Sequence, residues 1–254
     1  MAARNIRLLL EYDGTAYSGW QMQLGRPTVQ EALAAAVHKL TGAPSEITGA
    51  SRTDAGVHAM AQVANFTTGS SIPAQGMMRG LNSALPPDVA VKEAVEVPAG
   101  FNARRDAVAK TYLYRVFNRD YPAPIHRRYS WDVFYRLDVD AMRSGAEYFV
   151  GERDFSSFRA ADCDACHPVR EILSFTVGRS GDFVEFEVKG TAFLRHMVRI
   201  MVGTLVTLGR GKLKPDDIRA IMEAGDRRKA SVTAPPRGLF LKEVEYRPTS
   251  RLCR

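Results

Sequence analysis

Two kinds of hydrophobic spacing take turns along this chain, and their order restricts the fold more than any other feature. From Arg4 to Tyr12 apolar residues alternate, with Ile6, Leu8 and Leu10 on one side, and the run stops at the turn signal Asp13-Gly14. Thr28 followed three residues later by Glu31 makes a capping box, and Val29, Leu33, Val37 and Leu40 recur behind it at helical spacing. Strands are expected at Ile47 to Gly49, Met60 to Phe66 and Val89 to Val97, with a helix near Gln75 to Ala84. The pattern then begins again. Lys110 to Asn118 reads as a strand covered on both faces, and a helix is expected from an Asp138 cap to a Gly151 stop, with Met142, Ala146 and Phe149 on its apolar stripe. Ile172 to Val177 and Phe183 to Val188 form a hairpin around Gly178 to Asp182, followed by a long helix from about Thr191 to Leu208 before Gly209. A helix near Pro215 to Ala224 and a strand from Leu239 to Tyr246 close the chain. Strand, helix, strand, strand thus occurs twice. This order predicts an α+β protein of two halves, 1–105 and 106–254, each an antiparallel sheet with helices on one side.

A chain of 254 residues with 45% hydrophobic and 25% charged residues has the balance of a soluble globular protein. No apolar run approaches the ~20 residues a membrane helix needs, and the Leu8-Leu9-Leu10 stretch is followed at once by Glu11 and Asp13, so it reads as a strand and not a signal peptide. The formal net charge of +7 points to a polyanionic partner, because clustered Lys and Arg neutralise phosphates. Cys163, Cys166 and Cys253 are too few for a disulfide framework, which fits a reducing, cytoplasmic setting. Cys163-Asp164-Ala165-Cys166-His167 has the spacing of covalent haem attachment, but it lies mid-chain without an export signal. A structural zinc site would need a second Cys/His pair, and none stands at suitable spacing, so the segment reads as a polar loop and no metal is expected.

The densest polar cluster of the first half is Gly49-Ala50-Ser51-Arg52-Thr53-Asp54-Ala55-Gly56-Val57-His58, between two expected strands. Gly56 permits a tight bend from which Asp54 can project toward a cleft. From generic chemistry alone the favoured reading is an ordinary turn with a local ion pair between Arg52 and Asp54.

Ser51 to His58 resembles the signature loop of the A-type tRNA pseudouridine synthases, usually written G-R-T-D-A-G-V-H, with Ser51 in place of the first Gly. Glu11-Tyr12-Asp13-Gly14 with Tyr17, Ser18, Gly19, Trp20 and Gln21 is similar to the family's opening segment. Phe101 to Arg104, Tyr112 to Tyr114, Asp154 to Arg159 and Ala192 to Gly203 follow in the family order. The resemblance implies two ferredoxin-like (RRM-like) halves forming a central RNA-binding cleft, no cofactor, a homodimer, and action on uridines 38 to 40 of the tRNA anticodon arm. It makes Asp54 the catalytic carboxylate, as nucleophile at the ribose or at uracil C6, or as base at C2′, and the sequence does not choose among these routes. Each route needs Asp54 ionised, and Arg199 is the candidate cation to keep it so. Tyr112 is placed against the target base, where its ring could stack and its hydroxyl could help remove the C5 proton. Arg52 is a candidate to fill the space of an extruded nucleotide or to grip the backbone. Arg104, Arg105, Lys110, Arg127 and Arg128 are candidates for the RNA backbone, and the apolar helix around Met197 to Leu208 is a candidate dimer face.

Three rival readings remain at this level. A noncatalytic RNA-binding protein would also suit a basic surface with aromatic residues on its sheets. A haem or zinc protein would use Cys163, Cys166 and His167. A glycosidase or nucleosidase would share C1′ chemistry, but no paired carboxylates stand in a matching motif.

Overall fold

Strand β1 (Arg4–Tyr12) buries Ile6, Leu8, Leu10 and Tyr12 on one face, as its alternation requires. Full burial of each of these aliphatic side chains contributes about 1.5–3 kcal/mol. The computed structural model describes residues 3–163 and 165–247, so Cys253 lies outside the described residues. Contacts divide the chain into two units, one running to Ala109 and resuming at Leu241, the other spanning Lys110–Phe240. The C-terminal strand from Leu241 therefore belongs with the first unit, whereas the sequence pattern places everything after residue 105 in one half.

In the first unit, β1 pairs antiparallel with β3 (His58–Thr68) on one side and β4 (Val89–Val97) on the other. The two-residue β2 (Thr48–Gly49) pairs with β3 at Asn65 and Ala64. With helices α1 (Val29–Thr41) and α2 (Ala74–Ala84), the element order is βαββαβ and the strand order β4-β1-β3-β2, a ferredoxin-like arrangement. The Thr28 hydroxyl caps α1 by accepting the Glu31 amide, and Gly42 closes it in the left-handed region at φ 76°. Val29, Leu33 and Val37 are buried as expected, and Leu40 meets α2 at Gly80, where a Cβ would come within 2.6 Å of it.

The second unit contains β5 (Ala107–Asn118) from Lys110 onward, β6 (Trp131–Val133), α3 (Val139–Glu147), β7 (Gly151–Asp154), β8 (Val169–Ser180), β9 (Phe183–Gly190), α4 (Met197–Gly209) and α5 (Pro215–Glu223). Its antiparallel order is β5-β9-β8-β7, with β6 parallel to β5. The last strand, β10 (Leu239–Tyr246), starts in this unit and lies beside β3 in the first. Helix α3 begins at Asp138 as expected but ends at Glu147, and Gly151 (φ 97°) opens β7 instead of stopping the helix. Phe149, though past the helix, is fully buried against Phe155, Phe158 and Phe175. The first hairpin strand runs longer than predicted at both ends, from Val169 to Ser180, and the second starts at Phe183 as predicted but continues to Gly190, leaving Gly181-Asp182 as the turn.

The expected Thr191–Leu208 helix starts only at Met197. His196 sits at φ 62°, and the Arg195 carbonyl, which a continuous helix would give to the Arg199 amide, accepts the Ala160 amide instead. Arg195 and His196 consequently precede the helix, and Arg195 ion-pairs with Asp162. Nearly every side chain of α4 is buried, with Gly145 of α3 approaching Leu208 and Gly209 approaching Met142. Helix α4 is core and offers no free face to a partner chain. Among the described residues no helix is long and apolar enough to cross a membrane.

Candidate active site

The Asp54 loop leaves β2 through Ala50, whose amide bonds to the Val63 carbonyl at 2.8 Å, and returns at His58, the first residue of β3. Within it the Val57 amide reaches back to the Asp54 carbonyl at 3.1 Å, and Gly56 supplies the left-handed residue at φ 74°. Asp54 is half-buried at the bend, between buried Thr53 and exposed Ala55. Arg52 is exposed, and its guanidinium forms no hydrogen bond or ion pair with the described residues.

Most of what holds this loop comes from the opening segment Glu11 to Gln21. The Trp20 amide donates to the Thr53 carbonyl at 3.0 Å and the Gly56 amide to the Tyr17 carbonyl at 3.2 Å. The Tyr12 and Thr53 hydroxyls share a buried hydrogen bond of 2.8 Å. A Cβ on Gly14 would fall 2.0 Å from the Val57 carbonyl oxygen, and one on Gly19 (φ 98°) 2.7 Å from that of Thr53, so both glycines are there for close backbone approach. The fully buried Trp20 indole lies against Gly49 at the loop's start. The two motifs that stand some 35 residues apart in sequence are thus one object, the first forming the cradle of the second.

Buried His58 adds a polar tie. Its Nδ1 accepts the Gly14 amide at 3.1 Å and lies 3.1 Å from Asp13 Oδ1. Tyr17 donates to Asp88 at 2.5 Å; burial and then that carboxylate push its phenol well above the ordinary range.

Gln62, fully buried on β3, was not marked by its sequence context. Its Nε2 donates to the Ser51 carbonyl at 2.7 Å and its Oε1 accepts the Ser51 amide at 3.3 Å, so one side chain grips both backbone groups of the residue before Arg52. A glutamine in a strand reads as an outward polar residue. Only the β2–β3 register reveals its target, eleven positions earlier.

In the second unit, Tyr112 is 6% exposed on β5, with its ring edge-on to Phe193 at 5.1 Å. Tyr114, two residues on, is fully buried and donates to the Pro235 carbonyl at 2.8 Å; burial raises its phenol, with Arg199 and Arg237 opposing. Arg199 is half-buried on α4, where its Nε donates to the Ala234 carbonyl at 2.8 Å while its own carbonyl accepts the Ala234 amide. The extended segment around Ala234 crosses α4 at Gly203, where a Cβ would meet the Val232 carbonyl oxygen at 1.9 Å. Asp54 and Arg52 therefore stand on one unit, and Tyr112 and Arg199 on the other.

The basic candidates divide by what already holds them. Arg105 is committed to Asp106 at 2.9 Å and to the Gly100 carbonyl at 2.6 Å, whereas the exposed guanidinia of Arg104 and Arg127 have no partner among the described residues. Arg128 is exposed and Lys110 half-buried, and each has a partner. Cys163 and Cys166 are free thiols, half-buried and exposed, and among the described residues no three His, Cys, Asp or Glu side chains gather to hold a metal.

A family profile described as tRNA pseudouridine synthase matches residues 9–104 and 146–247, spans that contain the opening segment, the Asp54 loop, Arg104 and Arg199 but not Tyr112. The tRNA pseudouridine synthase A of Myxococcus xanthus is 49% identical over 243 residues, covering 95% of this chain and 92% of that protein. Those of Geobacter sp. (strain M21), 47% identical over 244 residues, and Geotalea daltonii, 44% over 243, each align with 96% of this chain and with 99% and 100% of their own lengths. Among solved structures, a chain of a Cbf5-Nop10-Gar1 complex superposes with a TM-score of 0.34 and 14% identity over 79% of this chain and 45% of that chain, too loose a match to define a fold. Matched through both of its motif-bearing spans and along almost its whole length by named relatives, this chain belongs to the tRNA pseudouridine synthase family.

Proposed function

We propose that this protein isomerises uridine to pseudouridine at positions 38, 39 and 40 of the tRNA anticodon arm, with Asp54 as the essential carboxylate. The observation that carries this reading is the bracing of the Asp54 loop, fixed at Ser51, Thr53, Gly56 and Val57 by hydrogen bonds that leave the Asp54 carboxylate half-buried at the apex. A carboxylate held on so constrained a turn loses little freedom when it meets its reaction partner, and such positioning is the larger part of what an isomerase without leaving products needs.

The reaction breaks the bond from uracil N1 to C1′, turns the base, and joins C5 to C1′. The proton lost from C5 is matched by one gained at N1, so no redox partner or acceptor is required and no cofactor is proposed. Asp54 acts as nucleophile or base on one nucleotide at a time. That nucleotide must leave its stack, because a paired and stacked uracil presents neither C1′ nor C6 to a side chain. Arg52, exposed and two residues from Asp54, is proposed to fill the vacated space or hold the adjoining phosphate. Tyr112 is proposed to pack on the uracil and Arg199 to supply positive charge to the substrate complex. A homodimer working in the cytoplasm completes the proposal, its interface lying elsewhere than α4.

The test uses unmodified tRNA transcripts carrying uridine at 38, 39 and 40, and transcripts with cytidine at each position in turn. Pseudouridine is expected only where uridine stands at these positions, without added cofactor. Conversion at other uridines, or none anywhere, overturns the assignment.

A further inference from the structure

The turn from Phe101 to Asp106 is saturated with internal hydrogen bonds, and one cation on it is left over. The Asn102 amide donates to Asp106 Oδ2 at 2.8 Å and the Ala103 amide to Asn65 Oδ1 at 2.8 Å. The Arg104 and Arg105 amides share Asn102 Oδ1, while those of Phe101 and Asp106 reach the Pro98 and Asn102 carbonyls. On the carbonyl side, Phe101 accepts Asn5 Nδ2 at 2.9 Å and Ala103 accepts the Tyr246 hydroxyl at 2.7 Å. Asn5 and Asn65 are 3% and 8% exposed and bonded to each other at 3.0 Å. Two buried amides on neighbouring strands are an expensive choice for a core unless fully satisfied, and here their bonds go to this turn.

The turn also shares its footing with the Asp54 loop. Ala103, fully buried, packs in one small cluster with Ala50, the residue from which that loop departs, and with Val63. Arg105 folds back onto Asp106 and Gly100, and its guanidinium lowers the Asp106 carboxyl below the ordinary range. Arg104 points outward, exposed and without a side-chain partner among the described residues.

The geometry points to a built phosphate-binding site in which Arg104 is the contact to an RNA phosphodiester beside the Asp54 loop, Arg105 is structural, and Asn5 and Asn65 are positioning residues. A guanidinium on a rigid turn suits one phosphate held in register. The inference rests on the proposed action on tRNA, but only on its binding half.

The experiment measures tRNA affinity against salt concentration for wild type, Arg104→Ala, Arg105→Ala and Asn65→Leu. Arg104→Ala is expected to weaken binding roughly tenfold and to reduce the slope of log affinity against log salt by about 0.7–0.9, the value of one phosphate contact. Arg105→Ala leaves the slope at the wild-type value and lowers thermal stability instead. Asn65→Leu weakens binding when Arg104 is present and adds nothing in the Arg104→Ala background, which a merely structural role would not produce. An unchanged slope in Arg104→Ala, or an equal loss in Arg105→Ala, overturns the site whether or not Asn65→Leu folds. Pseudouridine formation is scored on the same preparations. Wild type that binds with an Arg104-dependent slope but makes no pseudouridine removes the catalytic reading and leaves the phosphate site standing.

Discussion

Replacing Gln62 isolates what the bracing of the Asp54 loop is worth. Gln62→Leu keeps the side chain's bulk but removes the donor to the Ser51 carbonyl and the acceptor for its amide. Each unsatisfied backbone group costs about 1–3 kcal/mol when buried, and Ser51 is half-buried, so water recovers part of both. The expected loss is about 2–4 kcal/mol, which at roughly 2–4 °C per kcal/mol for a domain of this size lowers the melting midpoint by about 4–16 °C. The loss falls on the loop itself, so turnover on tRNA should drop more than tRNA affinity. Gln62→Glu separates the two bonds. As an acid the glutamate can still donate to the Ser51 carbonyl, whereas ionised it sets a buried charge against that oxygen, so its folded pKa is raised above the unfolded value of about 4.3. The stability from the protonated form is complete below that unfolded value and is lost as pH rises through the folded pKa, so this variant approaches wild type near pH 4 and falls away toward pH 8. Calorimetry at both pH values with single-turnover assays on the same samples checks this. A Gln62→Leu protein with unchanged midpoint and turnover refutes the claim that Gln62 positions the loop.

Three further outcomes follow from the same geometry. Gly19→Ala forces a Cβ to within 2.7 Å of the Thr53 carbonyl oxygen at φ 98°, and should cost about 1–3 kcal/mol and lower turnover, measurable by urea unfolding and tRNA assay. Asp226, whose carboxyl Arg228 holds down to about 2, contributes stability that is present above the unfolded value near 3.9 and lost as pH falls toward 2; Asp226→Asn should therefore show a shallower decline over that window in acid titration. Tyr112→Phe and Arg199→Ala should bind tRNA close to wild type yet turn over slowly, and near-normal turnover in either removes that residue from the reaction.

Local signals in the sequence reach as far as local physics does. The bounds of β1 and β4 and the Thr28 cap of α1 are readable because alternation, helical spacing and a capping hydroxyl are properties of a few adjacent residues. The start of α4 is not, because His196 takes its φ of 62° only where the Arg195 carbonyl is claimed by Ala160, some 35 positions earlier. Asp54 is legible as a candidate through its loop and the family resemblance, yet the partners that brace its loop become visible only in the folded sheet, Gln62 through the pairing of β2 with β3 and Tyr12 through that of β1 with β3. Arg104 and Arg105 look identical in sequence. Their different employment depends on the direction each side chain takes from the turn, with Asp106 and the Gly100 carbonyl in reach of only one.

Conversion of anticodon-arm uridines by wild type and by Asp54→Asn, with tRNA binding followed at the same salt, tests the central claim most directly. Wild type should form pseudouridine without added cofactor, while the variant, whose amide nearly matches the carboxylate in size, should bind with similar affinity and form none. Substantial pseudouridine formation by Asp54→Asn would contradict the role given to the Asp54 carboxylate.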